Sequence, residues 1–341
     1  DNVQHKDEIW FDTDDMFDTE AYLYAARENF WNGIKSDMGF DASISGYTTT
    51  LNCIKNGYPW RESITSLLGF CDEVCIADGG STDGTWEELQ SWAEKEEKLV
   101  IYRNEIDLED PRFAVKSDGL LKALARSMCT KEFCWQMDAD EIVHEDDYKK
   151  VKSLCVQFQN GLDLLAMPVI EYWGGPEKVR VDINPWKWRI SRNKSHITHG
   201  PPAHLRRYDE NGELYCAKGT DSCDYIRNDS YQPIQFGTFY TDDVHRCRMA
   251  AMEGNEHAIS QYQAWFDHIT DMLPSVHHFS WWDMERKIKN TRDHWSKFWG
   301  SMYNESIEDT PENNKMFDVA WSDVSEDMIK ERAEELTEKL G

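Results

Sequence analysis

Phe133-Cys134-Trp135-Gln136-Met137-Asp138-Ala139-Asp140-Glu141 is an apolar run that stops in a burst of acid. A short apolar segment bounded by polar residues reads as a buried strand. Ligands of open α/β sheets bind just beyond the carboxyl ends of the strands, so these acids fall where a ligand belongs. If extended geometry continues, Asp138 and Asp140 leave the same face of the chain, and Ala139 between them adds little bulk. Two hard oxygen ligands at a strand end suit Mg2+ or Mn2+ that keeps open positions for phosphate. With 64 Asp and Glu in the chain, Asp-x-Asp also arises by chance, as at Asp12-Thr13-Asp14, where no strand precedes it. What separates the Asp138 pair is the segment in front of it.

Working back from this strand, periodicity alternates. Thr48-Thr49-Thr50-Leu51-Asn52-Cys53-Ile54 is β-branched and strand-like. Pro59 suits a helix start; Trp60, Ile64, Leu67 and Leu68 mark one helical face, which Gly69 closes. Glu73–Ala77 is a second strand, ending in Asp78-Gly79-Gly80-Ser81-Thr82-Asp83-Gly84-Thr85. A helix follows from about Trp86 to Lys95, with Asp83 or Thr85 as its cap and Thr85 with Glu88 as a capping box. Leu99–Tyr102 is a third strand, and Leu120, Leu121, Leu124 and Met128 define another helix before Phe133. This order predicts an α/β protein with a mostly parallel sheet flanked by helices. Asp78 and Asp138 then both sit at the carboxyl edge of that sheet, and their agreement points to a nucleotide-type site. The glycines after Asp78 allow positive φ and close approach of the backbone to a ligand. A plain strand-to-helix turn explains the same residues. There is no Gly-x-Gly-x-x-Gly and no Gly-Lys-Ser/Thr here, so dinucleotide and P-loop readings are poor.

The chain has 341 residues, 40% hydrophobic and 13% aromatic, enough for a real core. Its net charge of −27 argues against a nucleic-acid partner, and an anionic ligand would need a local cation. Nine cysteines are scattered without a Cys-x-x-Cys pair, which reads as reduced thiols in a cytoplasmic protein without structural zinc. No run approaches a membrane span, and Asp1–Glu8 lacks a signal pattern. Sequons begin at Asn193, Asn228 and Asn304, a pattern short enough to match by chance.

Three ordered motifs give a resemblance. Lys55-Asn56, then Phe70-Cys71-Asp72-Glu73-Val74-Cys75-Ile76-Ala77-Asp78-Gly79-Gly80-Ser81-Thr82-Asp83-Gly84-Thr85, then Gln136-Met137-Asp138-Ala139-Asp140-Glu141 resemble family 2 glycosyltransferases of the GT-A fold, in the branch that builds lipopolysaccharide core and surface polysaccharides. The resemblance covers residues 48 to 145. It implies a Rossmann-like GT-A sheet over 48–232, with an N-terminal arm over 1–47 and a mainly helical C-terminal region over 233–341 that completes the site. It also implies a nucleotide-sugar donor and a carbohydrate or glycolipid acceptor. Carried over, Asn56, Asp78, Lys116 and Asp138 bind the donor, with Asp78 on the nucleoside and Asp138 near the ribose and diphosphate. Asp138, Asp140 and His278 form the metal set for Mn2+ or Mg2+, His278 coming from Val276-His277-His278-Phe279-Ser280-Trp281-Trp282. Lys116 supplies the local cation that the overall charge demands.

The resemblance fails at one place. Similar enzymes carry a His-Glu element near the acceptor, whereas this chain has His204-Leu205. An inverting transferase needs a carboxylate to take the acceptor's proton. Glu171 and Asp209 are the leading candidates, with Asp182 and Asp221 behind them. Trp173, Trp186 and Trp188 are candidates for sugar stacking, though core packing explains each equally well. Glu253 and His257 have ligand spacing that a solvated helix face explains better. Glu285, Arg286, Lys287 and Lys289 read as surface charges. Ser325–Leu340 is an amphipathic helix with Met328, Ile329, Arg332, Ala333 and Leu336 on or near its buried side, packed on the domain or on a second subunit. A module that binds nucleotide-sugar or glycan without turnover is the alternative reading. A nucleotidyltransferase would want a glycine-rich basic loop, for which Lys55-Asn56-Gly57 is too thin.

Overall fold

The computed structural model describes residues 42–107, 119–155, 164–181, 185–194, 197, 206–208, 214–216, 233–234, 242–295, 308–314 and 316–339. The arm expected over 1–47 falls outside them except for its last six positions. The first half of the chain alternates β1 (Ile44–Thr50), α1 (Trp60–Phe70), β2 (Glu73–Asp78), α2 (Thr85–Ala93), β3 (Leu99–Arg103), α3 (Leu121–Ser127) and β4 (Phe133–Gln136). Then come β5 (Glu141–Val143), α4 (Tyr148–Leu154), β6 (Leu164–Trp173), β7 (Trp186–Arg192), β8 (Arg206–Tyr208), β9 (Leu214–Cys216) and β10 (Pro233–Ile234). The C-terminal part contributes α5 (Asp242–Met252), α6 (Glu256–Met272), β11 (Val276–Trp281), α7 (Met284–Asn290) and α8 (Glu326–Lys339).

The main sheet runs β3-β2-β1-β4-β7-β6-β11-β5, with β10 also on β6; β8 and β9 pair separately. From β3 to β4 every pairing is parallel, the pattern predicted from the alternation. β7 turns the sheet antiparallel against both β4 and β6. β11 then returns parallel to β6 and antiparallel to β5. A segment from the far end of the chain thus lies inside the main sheet, beside the residues that follow β4.

Both faces of the first four strands are covered, so β2 is buried along its whole length and reads as a continuous apolar run. On one side Tyr47, Cys75, Ala77, Cys129 and Cys134 pack with Leu121 and Ala125 of α3. On the other, α1 buries Trp60, Ile64, Leu67 and Phe70, and Phe70 meets Trp135 edge-on at 5.2 Å. Burying each such large apolar side chain contributes about 1.5–3 kcal/mol.

Several boundaries differ from the sequence reading. The first strand is Ile44–Thr50, not 48–54. Gly46 lies inside it because a Cβ there would sit 3.0 Å from both Leu67 Cδ2 and Cys71 Sγ, so the glycine brings α1 close and does not break the strand. Asn52, at φ 49, opens the turn that follows. Gly69 does not end α1; a Cβ there would lie 2.1 Å from the Tyr148 ring, so its role is to admit α4. The capping box does not form: Gly84, at φ 98, precedes α2 without a side-chain cap, and Glu88 pairs with Arg61.

Trp173 is core, not a platform: it packs with Met284, Ile288, Trp321, Ile329 and Ala333, and its indole donates to Leu336 O at 2.9 Å. The amphipathic C-terminal helix packs on its own chain through the same cluster. No helix among the described residues is long and apolar enough to cross a membrane.

Candidate active site

Two loops at the carboxyl edge are stitched together. Thr82 N donates to Asn52 Oδ1 (2.8 Å), Asn52 N to Ser81 Oγ (2.8 Å) and Lys55 N to Asp83 Oδ2 (2.7 Å). Asp78 is the post they are tied to. Its Oδ1 accepts from the backbone N of Gly80 (3.0 Å) and Ser81 (2.8 Å), and its Oδ2 from Thr50 Oγ1 (2.8 Å) and Ser81 Oγ (2.6 Å). Asp78 is fully buried, and its hydrogen bonds all run to its own loops. Gly80 has φ +97 and the Glu105 backbone 3.2 Å from where a Cβ would be, so only glycine fits. Asn56 is buried in the adjoining loop; its Nδ2 reaches Leu51 O at 3.4 Å, while its Oδ1 has no hydrogen-bond partner. A buried acceptor of this kind calls for a donor from water or ligand.

The Asp-x-Asp segment is a turn, not a continued strand. β4 stops at Gln136, and Glu141 N donates to Asp138 O at 3.0 Å. The reason is Glu141. Its wholly buried carboxylate ion-pairs with Arg189, receives Lys187 at 3.4 Å, and accepts from Asp138 N at 3.0 Å, which folds the chain back. Asp138 Oδ1 receives Lys122 Nζ and Gln136 Nε2, each at 2.8 Å. Burial alone would raise the Asp138 carboxyl, but Lys122, Arg189 and Lys187 hold it far below the usual carboxylate range.

Asp140 faces β11. His278 lies opposite Glu171 on β6 and Glu141 on β5. Its Nδ1 bonds Glu171, and its Nε2 is 3.4 Å from Asp140 Oδ1. Burial works to deprotonate the imidazole, yet Glu171 and Asp140 overcome it and push the pKa up to about 9. In return Asp140, which burial would raise, is drawn down to about 2 by His278 and Lys287. Glu171 is likewise held below the ordinary range, its burial outweighed by His278. Burial pulls the Lys287 ammonium down, against the attraction of Asp140 and Glu171.

The structure therefore gathers Asp138, Asp140, Glu171 and His278, and it brings Asp78 to the same rim. β1 pairs Thr50 with Asp78 and Tyr47 with Gln136 in parallel, so the acids that end β2 and follow β4 leave the same edge. Lys116, Asp182, Asp209, Asp221 and His204-Leu205 lie outside the described residues. Sequence reasoning missed Lys122, Glu141, Lys187, Arg189 and Lys287 as members of this cluster. Gln136, a polar residue inside an apolar strand, was the available signal, because it binds Arg189 Nη1 at 2.6 Å.

Among the described residues no three His, Cys, Asp or Glu side chains are grouped to hold a metal ion. A closed cage is not what Mg2+ or Mn2+ needs beside a phosphate ligand, since one or two carboxylates with substrate oxygens and water suffice. Asp140, with His278 Nε2 on the same side, is a donor set of that kind. Glu171 on Nδ1 orients the imidazole, as carboxylates commonly do behind ligating histidines.

The acids from two strands lie on one carboxyl edge of the sheet, the edge at which ligands of open α/β sheets bind. Residues 59–160, which carry that edge from α1 past Asp140, match the family model described as glycosyl transferase family 2. Over these residues the chain is similar to family 2 glycosyltransferases. No curated protein matches the chain in sequence. Among solved structures it is similar to S. aureus TarS, at 18% identity over 76% of this chain and 48% of that one, with a TM-score of 0.33. The chain thus spans about half the length of that protein. TarS 1–349 in complex with UDP is 15% identical over 86% of this chain and 89% of that one, TM-score 0.34. TarS 1–349 in complex with UDP-GlcNAc is 14% identical over the same shares, TM-score 0.34.

Proposed function

We propose that the protein is a metal-dependent glycosyltransferase of polysaccharide biosynthesis. It moves a sugar, with inversion, from a nucleotide-diphosphate sugar to a hydroxyl of a glycan or glycolipid. The observation that carries this reading is the Glu171–His278–Asp140 chain beside Asp138 at the carboxyl edge of the sheet. Asp78 shapes the loop that receives the nucleoside, and Asn56 Oδ1 accepts from it. Asp138, fixed through Oδ1 by Lys122 and Gln136, turns Oδ2 to the ribose and diphosphate. Asp140 and His278 hold Mn2+ or Mg2+, which when bound offsets the charge developing on the departing diphosphate. Lys116 adds a donor-binding cation. The acceptor's proton goes to Glu171 or Asp209; Glu171 acts only when its pair with His278 opens. The seven cysteines described as free are all buried, which supports a reducing, cytoplasmic setting.

A thermal-shift panel of UDP-, GDP-, CMP- and dTDP-sugars with and without Mn2+ tests the donor, because a ligand of the folded state raises melting by mass action. No shift with any of them removes the reading. Binding without turnover is the second reading. It is favoured by one observation, that the only base candidate among the described residues has its carboxylate committed to His278. Release of free sugar from the stabilising nucleotide sugar, assayed with Mn2+, separates the two.

A further inference from the structure

We propose that Tyr172, His277, Phe279 and Trp282 form a platform that binds a sugar ring of the acceptor, an inference that rests on the transferase reading above. β6 sends alternate side chains to opposite faces of the sheet. Glu171 and Trp173 take one face, toward His278 and toward the core around Met284 and Ile329. Tyr172 takes the other and gathers rings from β11 and the residue after it. Its ring stacks on His277 at 6.0 Å and 19°. It lies 5.2 Å from Phe279 and 5.2 Å from Trp282, which it meets edge-on at 82°. Phe279 and Trp282 are themselves 5.2 Å apart. The Tyr172 hydroxyl and His277 Nδ1 share a hydrogen bond of 2.8 Å. Burial holds the imidazole below its usual pKa and the phenol above its own, so neither ring is charged at neutral pH.

These rings are not sealed as Trp173 is. Trp173 is 6% exposed and Trp282 37%, and Tyr172, His277 and Phe279 are each partly open. Exposed apolar side chains scattered singly carry no message, but four rings in mutual contact make one patch, and such patches mark binding surfaces. The rings offer apolar faces, with the phenol, the imidazole and the Trp282 indole N–H beside them as polar handles. A pyranose has the matching halves, a face of C–H bonds and a rim of hydroxyls. Small-ligand sites are built this way, from aromatic walls and a few polar groups. A neutral sugar also needs no cation in a chain of net charge −27. The position fits an acceptor. β4 and β6 both run antiparallel to β7, and β11 runs parallel to β6, so all three end on one edge. Tyr172 is next to last in β6, and Trp282 directly follows β11. The platform thus stands at the carboxyl edge, where ligands of such sheets bind. Phe279 N donates to Asp140 O at 2.8 Å, which ties the rings to the turn carrying Asp138 and Asp140. Glu171, the base candidate among the described residues, is the residue before Tyr172. A sugar on the rings lies beside the acids at which its hydroxyl must react.

The test is saturation-transfer NMR on the full chain with the methyl α- and β-glycosides of glucose, galactose, mannose and N-acetylglucosamine, with affinities from titration. At least one should bind, with transfer strongest to the C–H protons of one ring face. Trp282→Ala, at an exposed position, and Tyr172→Phe, which removes only a hydroxyl, should each weaken that glycoside by about 2- to 10-fold. Trp282→Phe, which keeps a ring, should recover most of the loss. The nucleotide-sugar thermal shift of the same variants should match the wild type, because a merely structural defect would weaken donor and sugar alike. No glycoside bound by the wild type, or binding that both variants leave unchanged, overturns the inference and leaves the donor reading intact. A dimer that dissociates in Trp282→Ala, with no glycoside bound, assigns the rings to a contact between copies and overturns it as well. Glycoside binding that Trp282→Ala weakens, without a shift by any nucleotide sugar, upholds the sugar platform and removes the transferase reading.

Discussion

Arg189 offers the sharpest test of how the site is built. Its guanidinium is buried, with one nitrogen on Glu141 and another 2.6 Å from Gln136 Oε1. Glu141 has no exposed surface, and its second cation, Lys187, stands off at 3.4 Å. Arg189→Met removes the closer counter-charge and strands the carboxylate. Breaking one side of a buried pair costs about 3–5 kcal/mol. At the lower end of about 2–4 °C per kcal/mol for sizeable domains, melting should fall by about 6–10 °C. The diagnostic is the double variant. Glu141→Gln keeps an acceptor for Asp138 N and takes away the charge, so Arg189→Met/Glu141→Gln should melt well above Arg189→Met alone. A coupling of about 2 kcal/mol or more is expected from a denaturant-based double-mutant cycle. Arg189 also touches groups beyond Glu141, and the cycle subtracts those. Additive single losses, or an Arg189→Met cost below about 1 kcal/mol, would refute the idea that Glu141 and its cation fold the turn carrying Asp138 and Asp140.

Other outcomes follow from the same geometry. Asp140→Asn should lower sugar transfer by about 100-fold or more with little change in melting, and a near-wild-type rate would end the mechanism. Gly69→Ala places a Cβ 2.1 Å from the Tyr148 ring and should destabilise by about 1–3 kcal/mol; Gly69→Ala/Tyr148→Ala should recover part of that if the clash is the cause. Burial would raise Glu73, but Ser45, Thr130 and Lys131 hold its carboxyl below the ordinary range. A depressed folded-state pKa contributes stability that is present above the unfolded value of about 4.3 and is lost as pH falls through the folded one. Denaturant melts should therefore show Glu73→Gln losing less stability than the wild type between pH 5 and about pH 3.

The strand–helix alternation was legible because burial on both faces makes β2 and β4 continuous apolar runs, which periodicity detects. Gly69 was misread because it serves a close approach of α1 to a distant segment, as the unassigned Gly46 also does, and a sequence shows a glycine's freedom but not its neighbours. The Asp138–Asp140 turn was invisible for a related reason, since the force that closes it comes from Arg189, on a strand 48 residues beyond Glu141. Lys287 was placed on the surface by its company of charges. A helix of seven residues is too short for periodicity to separate its inner lysine from its outer one.

The charges near Asp140 explain how a strongly acidic protein can receive an anion. Asp138, Asp140, Glu141 and Glu171 face Lys122, Lys187, Arg189, Lys287 and a protonated His278. Buried carboxylates survive only when paired, and here pairing is nearly complete within the chain's own residues. The basic side chains come from α3, β7, β11 and α7, elements scattered from before β4 to the last third of the chain. Acid and base are thus assembled together only when the whole sheet closes. On the proposed reading, a divalent ion held by Asp140 and His278 would require the imidazole to give up its proton, and a donor diphosphate would bring charge opposite to the ion's. Metal and donor would then offset each other's cost, and each should bind more tightly in the presence of the other, by the same factor in both directions.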